Sequence, residues 1–361
     1  MRELKLKNKI AAIPIIQGGM GVGVSRCQLA GAVAKEGGVG IISTAQIGYD
    51  EEGFAENENS CNLHAIDAHI KKAKEIAGGN GLVGVNVMVA LKHYREHAAQ
   101  AVQSGADVII CGAGIPADLP EIIQEAAHEY NIDACRIPAI APIVSSEKAT
   151  RVILKMWDKK YKTVPDFIVM EGPKAGGHLG YSKEQLQNID AISFEEEIKK
   201  IIVCKQDYEK KYIQSIPVIV AGGIFDKKDI DWALNLGADG VQIASRFVAT
   251  YECDACDAYK QAYIHAKKED VQIVQSPVGL PGRALHNSFI SQVEAAPKKI
   301  TKCYQCLKHC NPAQVPYCIT KALIDAVKGN VEEGLIFCGS NVDRIDHLLS
   351  VHELMTELTT D

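Results

Sequence analysis

An excess of basic residues is missing from this sequence. Its 361 residues carry 39 Lys and Arg against 45 Asp and Glu, a formal net charge of −6. That balance argues against a dedicated nucleic-acid binder with a basic face. A long apolar run is missing too: the charge-free stretch at residues 10–25 is too short and too rich in Gly to cross a bilayer. Nor does the start read as a secretory signal, lacking both a basic opening and a small-residue cleavage site. A cytoplasmic protein with no membrane or nucleic-acid partner is expected. There is no internal repeat and no low-complexity tract. With 47% hydrophobic and 23% charged residues, disorder and collagen-like order are excluded. The length allows one large domain or two ordinary ones.

What fills the chain instead is an alternation of short β-branched runs with amphipathic stretches. Residues 13–17, 39–43, 82–87, 107–111, 137–140, 167–170, 217–220 and 240–243 are mainly apolar. Strands of a parallel sheet covered on both faces have this character. The runs are mostly about 25–35 residues apart, room for one crossover helix each. Eight such units within about 250 residues predict an α/β fold, the TIM (β/α)8 barrel. The competing architecture, a doubly wound open sheet, would place G-x-G-x-x-G after the first strand; Gly18, Gly19, Gly21 and Gly23 are spaced differently. Two segments exceed a minimal barrel, an acidic one at 49–62 and a long one at 179–215. Both would begin at the face where barrels carry their active-site loops, either as lids or as solvated loops. Beyond Ala266 the alternation ends. The expected division is a barrel over residues 1–267 and a C-terminal extension over residues 268–361, with a turn-rich segment at 276–283, a Cys cluster and a terminal helical pair.

Function in such a barrel is read from what stands just after each strand. The first run is followed by Gln17-Gly18-Gly19-Met20-Gly21, and the third contains Asn86. The sixth leads into EGPKAGGH, from Glu171 to His178, and the seventh into Ala221-Gly222-Gly223. The eighth carries Gln242 and runs into Ala244, Ser245 and Arg246. Glycine pairs let backbone N–H groups approach an anion closely. Gly176-Gly177 and Gly222-Gly223, with the Ser245 N–H and hydroxyl, could therefore converge on one phosphate; the plain alternative is that they only turn the chain. Asn86 and Gln242 each offer an amide donor and acceptor, suited to the edge of a heterocycle or to satisfying loop backbone. Met20 could lie against a ring or simply pack. His178, the one His in these loops, can take a proton or stabilise an anion near neutral pH, and a functional role is the favoured reading. Glu171 and Lys174 share its loop, could pair with each other, and are assigned no chemistry.

Eight of the twelve Cys are scattered; Cys253 and Cys256 form a CDAC pair read as two ordinary thiols in a helical segment. Without an export signal, reduced thiols or a metal are favoured over a disulfide framework. Cys303, Cys306, Cys310 and Cys318 give C-x2-C-x3-C-x7-C. That set could hold a [4Fe-4S] cluster or a four-thiolate zinc ion, or be a loop of reduced thiols. A strict zinc pattern would pair two C-x2-C units, and this cluster holds one, Cys303 with Cys306.

The ordered motifs QGGM, GVNVMV, EGPKAGGHLG, VIVAGGI and GADGVQIASRF together resemble the FMN-dependent nitronate monooxygenases, formerly called 2-nitropropane dioxygenases. They are equally similar to the flavin-dependent enoyl-acyl carrier protein reductases that share the barrel. SPVGLPGRA is similar to a segment of bacterial nitronate monooxygenases. The resemblance implies one FMN at the carboxyl end of the barrel. Gly19, Met20 and Gly21 would lie by the isoalloxazine, with Asn86 contacting the flavin and Gln242 near its ring. Gly176, Gly177, Gly222, Gly223, Ala244 and Ser245 would hold the phosphate, Ala175 would also bind the cofactor, and His178 would be the catalytic residue. The family often has Gly-Thr where this chain has Ala244-Ser245, and Ser keeps the hydroxyl. The implied reaction oxidises a small alkyl nitronate with O2 to a carbonyl compound and nitrite. An alternative is NAD(P)H-dependent reduction of an activated alkene such as an enoyl thioester, the nucleotide docking transiently; a non-catalytic flavin- or phosphate-binding barrel is a third. The oligomeric state is open, a homodimer being one option.

Overall fold

In the computed structural model, which describes residues 1–360, the eight apolar runs become eight parallel strands. They are β1 (Ile15–Gln17), β2 (Val39–Ser43), β3 (Leu82–Met88), β4 (Val108–Gly112), β5 (Ala139–Val144), β6 (Ile168–Glu171), β7 (Val218–Ala221) and β8 (Gly240–Ile243). Each pairs with its neighbours in chain order, and β8 returns to β1, with Gln242 opposite Ile16, to close the barrel. The fold is a TIM barrel. The largest displacement from the sequence reading is at β5, expected at 137–140. Pro138 has no N–H to give a ladder, so the strand begins after it.

Side chains alternate across each strand. Ile16, Ile41, Val108, Ile110, Phe167, Val169 and Ile219 point inward and fill the barrel. Ile15, Ile42, Val85, Ile109, Met170 and Val220 point outward beneath the helices. The amino-terminal end is plugged by a hairpin of Leu4–Leu6 and Lys9–Ala11, which adds Leu4, Leu6 and Ala11 to the interior cluster. Asp107, Asp166 and Asp239 stand just before β4, β6 and β8. Their carboxylates accept the N–H groups of Val83, Ile140 and Val218 at 2.8–3.0 Å, satisfying donors at the starts of adjacent strands.

Neither of the two long segments is an open solvated loop. In the first, Arg26 pairs with Asp50 at 2.7 Å and lies 4.4 Å above the Tyr49 ring, Phe54 is buried, and helix Glu58–Ala77 begins within it. The second folds into helices Lys183–Gln187, Phe194–Cys204 and Gln206–Tyr212. The CDAC thiols precede a helix rather than lying inside one, with Cys253 in a buried turn and Cys256 at the N-cap of Asp257–Ile264. After it, strands Val271–Gln275 and Pro281–Leu285 form an antiparallel ladder, and the second strand also pairs with Gly177–His178. Helix Ser288–Ala295 follows, and beyond the Cys cluster the expected terminal pair is formed by helices Ile319–Val327 and Val351–Thr359. All twelve Cys are free. Among the described residues, no helix is long and apolar enough to cross a membrane.

Helix Cys27–Lys35 lies so near β2 that a Cβ on Gly40 would sit 1.8 Å from the Ala30 carbonyl oxygen. Gly40→Ala must push the helix off the sheet and should cost about 1–3 kcal/mol. A urea denaturation midpoint equal to that of the natural chain would refute this packing.

Candidate active site

The period of two that fills the barrel also decides what its carboxyl end presents. Ser43, Asn86, Met88, Ile143, Glu171 and Gln242 are inward positions at the strand ends, and they line a cavity of about 380 Å³. Every residue expected around a flavin borders this one cavity: Gly19, Met20, Gly21, Asn86, Ala175, Gly176, Gly177, Gly222, Gly223, Gln242, Ala244 and Ser245, together with His178. Close packing explains two of the glycines. A Cβ on Gly19 would lie 2.5 Å from the Asn86 Cβ, and one on Gly222, at φ +90°, would lie 2.8 Å from the Gly172 oxygen. The N–H groups of Gly222 and Gly223 take no protein acceptor among the described residues. Ser245 Oγ accepts the Gly339 N–H at 2.8 Å, so its own proton remains available to a ligand.

His178 stands 2.7 Å through Nε2 from Ser276 Oγ. Ser276 Oγ also accepts the Val278 N–H at 3.3 Å, which leaves the hydroxyl proton free for the imidazole. The edge of Phe337 meets the His178 ring, 4.9 Å between centroids. Loss of hydration holds the His178 pKa down to about 4, so the ring is neutral at neutral pH. Glu171 is the one carboxyl among the described lining residues. Burial lifts its pKa to about 8, and the Arg283 charge only partly opposes this. Arg283 is itself buried and donates to the Ala175 carbonyl. Glu171 does not pair with Lys174.

Residues beyond 268 complete the site. Ser340 N–H donates to the Lys174 oxygen at 3.1 Å, and Asn341 Nδ2 to the Gly223 oxygen at 2.9 Å. With Gly339 on Ser245, these bonds tie all three glycine-bearing or serine-bearing loops to one stretch of the tail. Reading strand ends alone missed Ser276, Arg283, Phe337 and Asn341, because none follows a barrel strand. The SPVGLPGR segment was visible as a turn-rich motif and contains two of them; the stretch at 337–341 carries no comparable signal.

Cys303, Cys306, Cys310 and Cys318 line a second cavity, of about 230 Å³. Among the described residues, no three His, Cys, Asp or Glu side chains are grouped to hold a metal ion. The four-thiolate zinc site is therefore not formed in this arrangement.

The family model for nitronate monooxygenase matches residues 3–361. Proteins of Staphylococcus aureus described as probable nitronate monooxygenases are similar: that of strain Newman is 26% identical over 302 residues, 78% of this chain and 77% of the relative. Among solved structures, FabK from Thermotoga maritima superimposes with a TM-score of 0.69 at 23% identity, covering 96% of this chain and 92% of that one. Nitroalkane oxidase from Streptomyces ansochromogenes gives 0.68 at 19% identity, covering 96% and 95%. At these identities the two structures speak for the fold.

The two perturbed groups give stability a pH dependence of opposite sign. Between pH 4.5 and about 8 the folded chain keeps a proton on Glu171 that the unfolded chain releases, so stability falls as pH rises through that window. Between about pH 4 and 6.5 the unfolded chain binds the extra proton at His178, so that contribution rises with pH. In Glu171→Gln the thermal midpoint should lose its decline from pH 6.5 to about 8. An unchanged decline would show that Glu171 is already ionised in the folded protein.

Proposed function

Since the chain belongs to the nitronate monooxygenase family, and so is a flavin-dependent oxidoreductase, we propose that it uses FMN to oxidise alkyl nitronates with O2, giving carbonyl compounds and nitrite. The observation that carries this reading is a neutral His178, tied to Ser276, in the wall of a cavity whose one carboxyl is protonated at neutral pH. The residues fit the cofactor. Gly222 and Gly223 have unused N–H groups, and Ser245 has a free hydroxyl proton for a phosphate. Asn86 and Gln242 place amides on the cavity floor, where a heterocycle's polar edge needs donors and acceptors. When bound, the flavin supplies the redox chemistry and the reaction with O2.

The chain's own task is to hold an anion and direct its reacting end. A nitronate carries negative charge on its oxygens, and an ionised Glu171 would repel it. Burial keeps that carboxyl neutral, and Lys174 adds a positive charge to the lining, while the Arg246 charge is balanced by its ion pair with Glu357. With the Ser276 hydroxyl donating to Nε2 of His178, the imidazole proton lies on Nδ1. No protein group bonds Nδ1 among the described residues, so it can donate to a nitronate oxygen. For a neutral nitroalkane the bond to Ser276 would reverse, with Nε2–H donating to Oγ, and Nδ1 would take the α-proton. Phe337 closes the apolar side of the ring and strengthens either interaction by excluding water.

An anaerobic absorbance titration of the purified holoprotein with NADH, then NADPH, then a nitronate tests the proposal. The flavin should stay oxidised until the nitronate is added. Bleaching by either nucleotide, with indifference to the nitronate, would overturn it in favour of the alkene reductase. His178→Ala should keep its FMN and lose roughly 10²–10⁴-fold in turnover; undiminished turnover would remove His178 from the mechanism.

A further inference from the structure

The segment at 299–318 has no helix or strand of its own. Structureless stretches of this length inside a compact fold are uncommon and usually serve a function. Its four cysteines all line one cavity of about 230 Å³, walled also by Pro277, Tyr317 and Ile319. As they stand, no three of these side chains are grouped to hold a metal ion, and a single tetrahedral ion would need all four sulfurs about 2.3 Å away. The four residues line one shared cavity. A four-iron cluster is held in that way, each thiolate taking a different iron at the corners of a cube.

We infer that Cys303, Cys306, Cys310 and Cys318 bind a [4Fe-4S] cluster in this cavity, beside the flavin site. The surroundings suit an anionic sulfur-ligated centre. Lys92 and Lys308 line the cavity and offset negative charge. The Gln305 N–H donates to Cys303 Sγ at 3.4 Å, and the Thr320 and Lys321 N–H groups face the Cys318 sulfur at the start of helix Ile319–Val327. Hydrogen bonds to the sulfurs are among the features that tune such clusters.

The loop is also pinned to the barrel. Lys92 N–H donates to the Cys306 oxygen and Lys308 N–H to the Ala90 oxygen, both at 3.0 Å, so the ligand loop is stitched to the chain leaving β3. That strand carries Asn86 and Met88 into the flavin cavity. On the other side, the helix opened by Cys318 brings Leu323 to the same cavity. Five helical residues span about 7.5 Å, which separates the two sites by little more than one helical turn.

The test is independent of the proposed reaction, because it reads metal and sulfide rather than turnover. Full-length protein is reconstituted anaerobically with ferric iron and sulfide, dithiothreitol being the reductant, then desalted and analysed. Four irons and four acid-labile sulfides per chain are expected, with a paramagnetic signal after dithionite reduction. Cys306→Ser/Cys310→Ser should lose all three while Cys256→Ser keeps them; circular dichroism and bound FMN report whether each variant is folded. One zinc per chain without sulfide, no bound metal, or iron and sulfide retained in the folded double variant would each overturn the inference. Should the double variant misfold, the iron-to-sulfide stoichiometry of the natural chain still decides.

Discussion

Closing eight parallel strands into a ring is the constraint on which everything else here depends. Once the ring is closed, every second side chain must point inward, and the interior admits only what can pack in layers. Ile16, Ile41, Val108, Phe167 and Ile219 meet that demand, with the N-terminal hairpin sealing the lower end. At the carboxyl end the same alternation has no such plug. It delivers Asn86, Glu171 and Gln242 to a shared cavity that no two of them would form alone. The polar floor of the site is thus a consequence of the pleat and of closure.

The C-terminal region gives that floor its roof and its rigidity. Glycine-rich loops gain close approach at the expense of conformational entropy. Here a single stretch of tail offsets the cost: Gly339, Ser340 and Asn341 bond to the loops after β8, β6 and β7. The Pro281–Leu285 strand pairs with Gly177–His178 and so sets the orientation of the catalytic candidate's backbone, while Ser276 sets that of its ring. Barrel and tail build one site together.

Water exclusion then governs the chemistry. The same desolvation that keeps His178 from protonating keeps Glu171 from ionising, so a carboxyl that would be ionised in water and an imidazole that would be partly protonated there are both neutral at neutral pH. A cavity with that electrostatic character can receive an anion without repulsion from Glu171, and its hydrogen bonds act in a medium where they are strong.

The barrel was legible in the sequence because its signal is local. A β-branched run is apolar over four to six residues wherever the chain later goes, and the glycine pairs lie in the loops that follow β6 and β7. His178 was visible for the same reason. Its partner was not: Ser276 lies 98 residues onward, and only the path of the tail across the barrel mouth brings the two within 2.7 Å. Burial follows the same logic. Glu171 reads as an ordinary loop acid until the tail and its Arg283 surround it, so its protonation belongs to the tertiary structure. The spacing of the four C-terminal cysteines was likewise plain in the sequence, but whether they met at a point or around a cavity could be decided only by the fold. Periodicity and spacing act through neighbouring residues and are written in the chain itself; contact, burial and charge state depend on what distant segments bring, and exist only once it has folded.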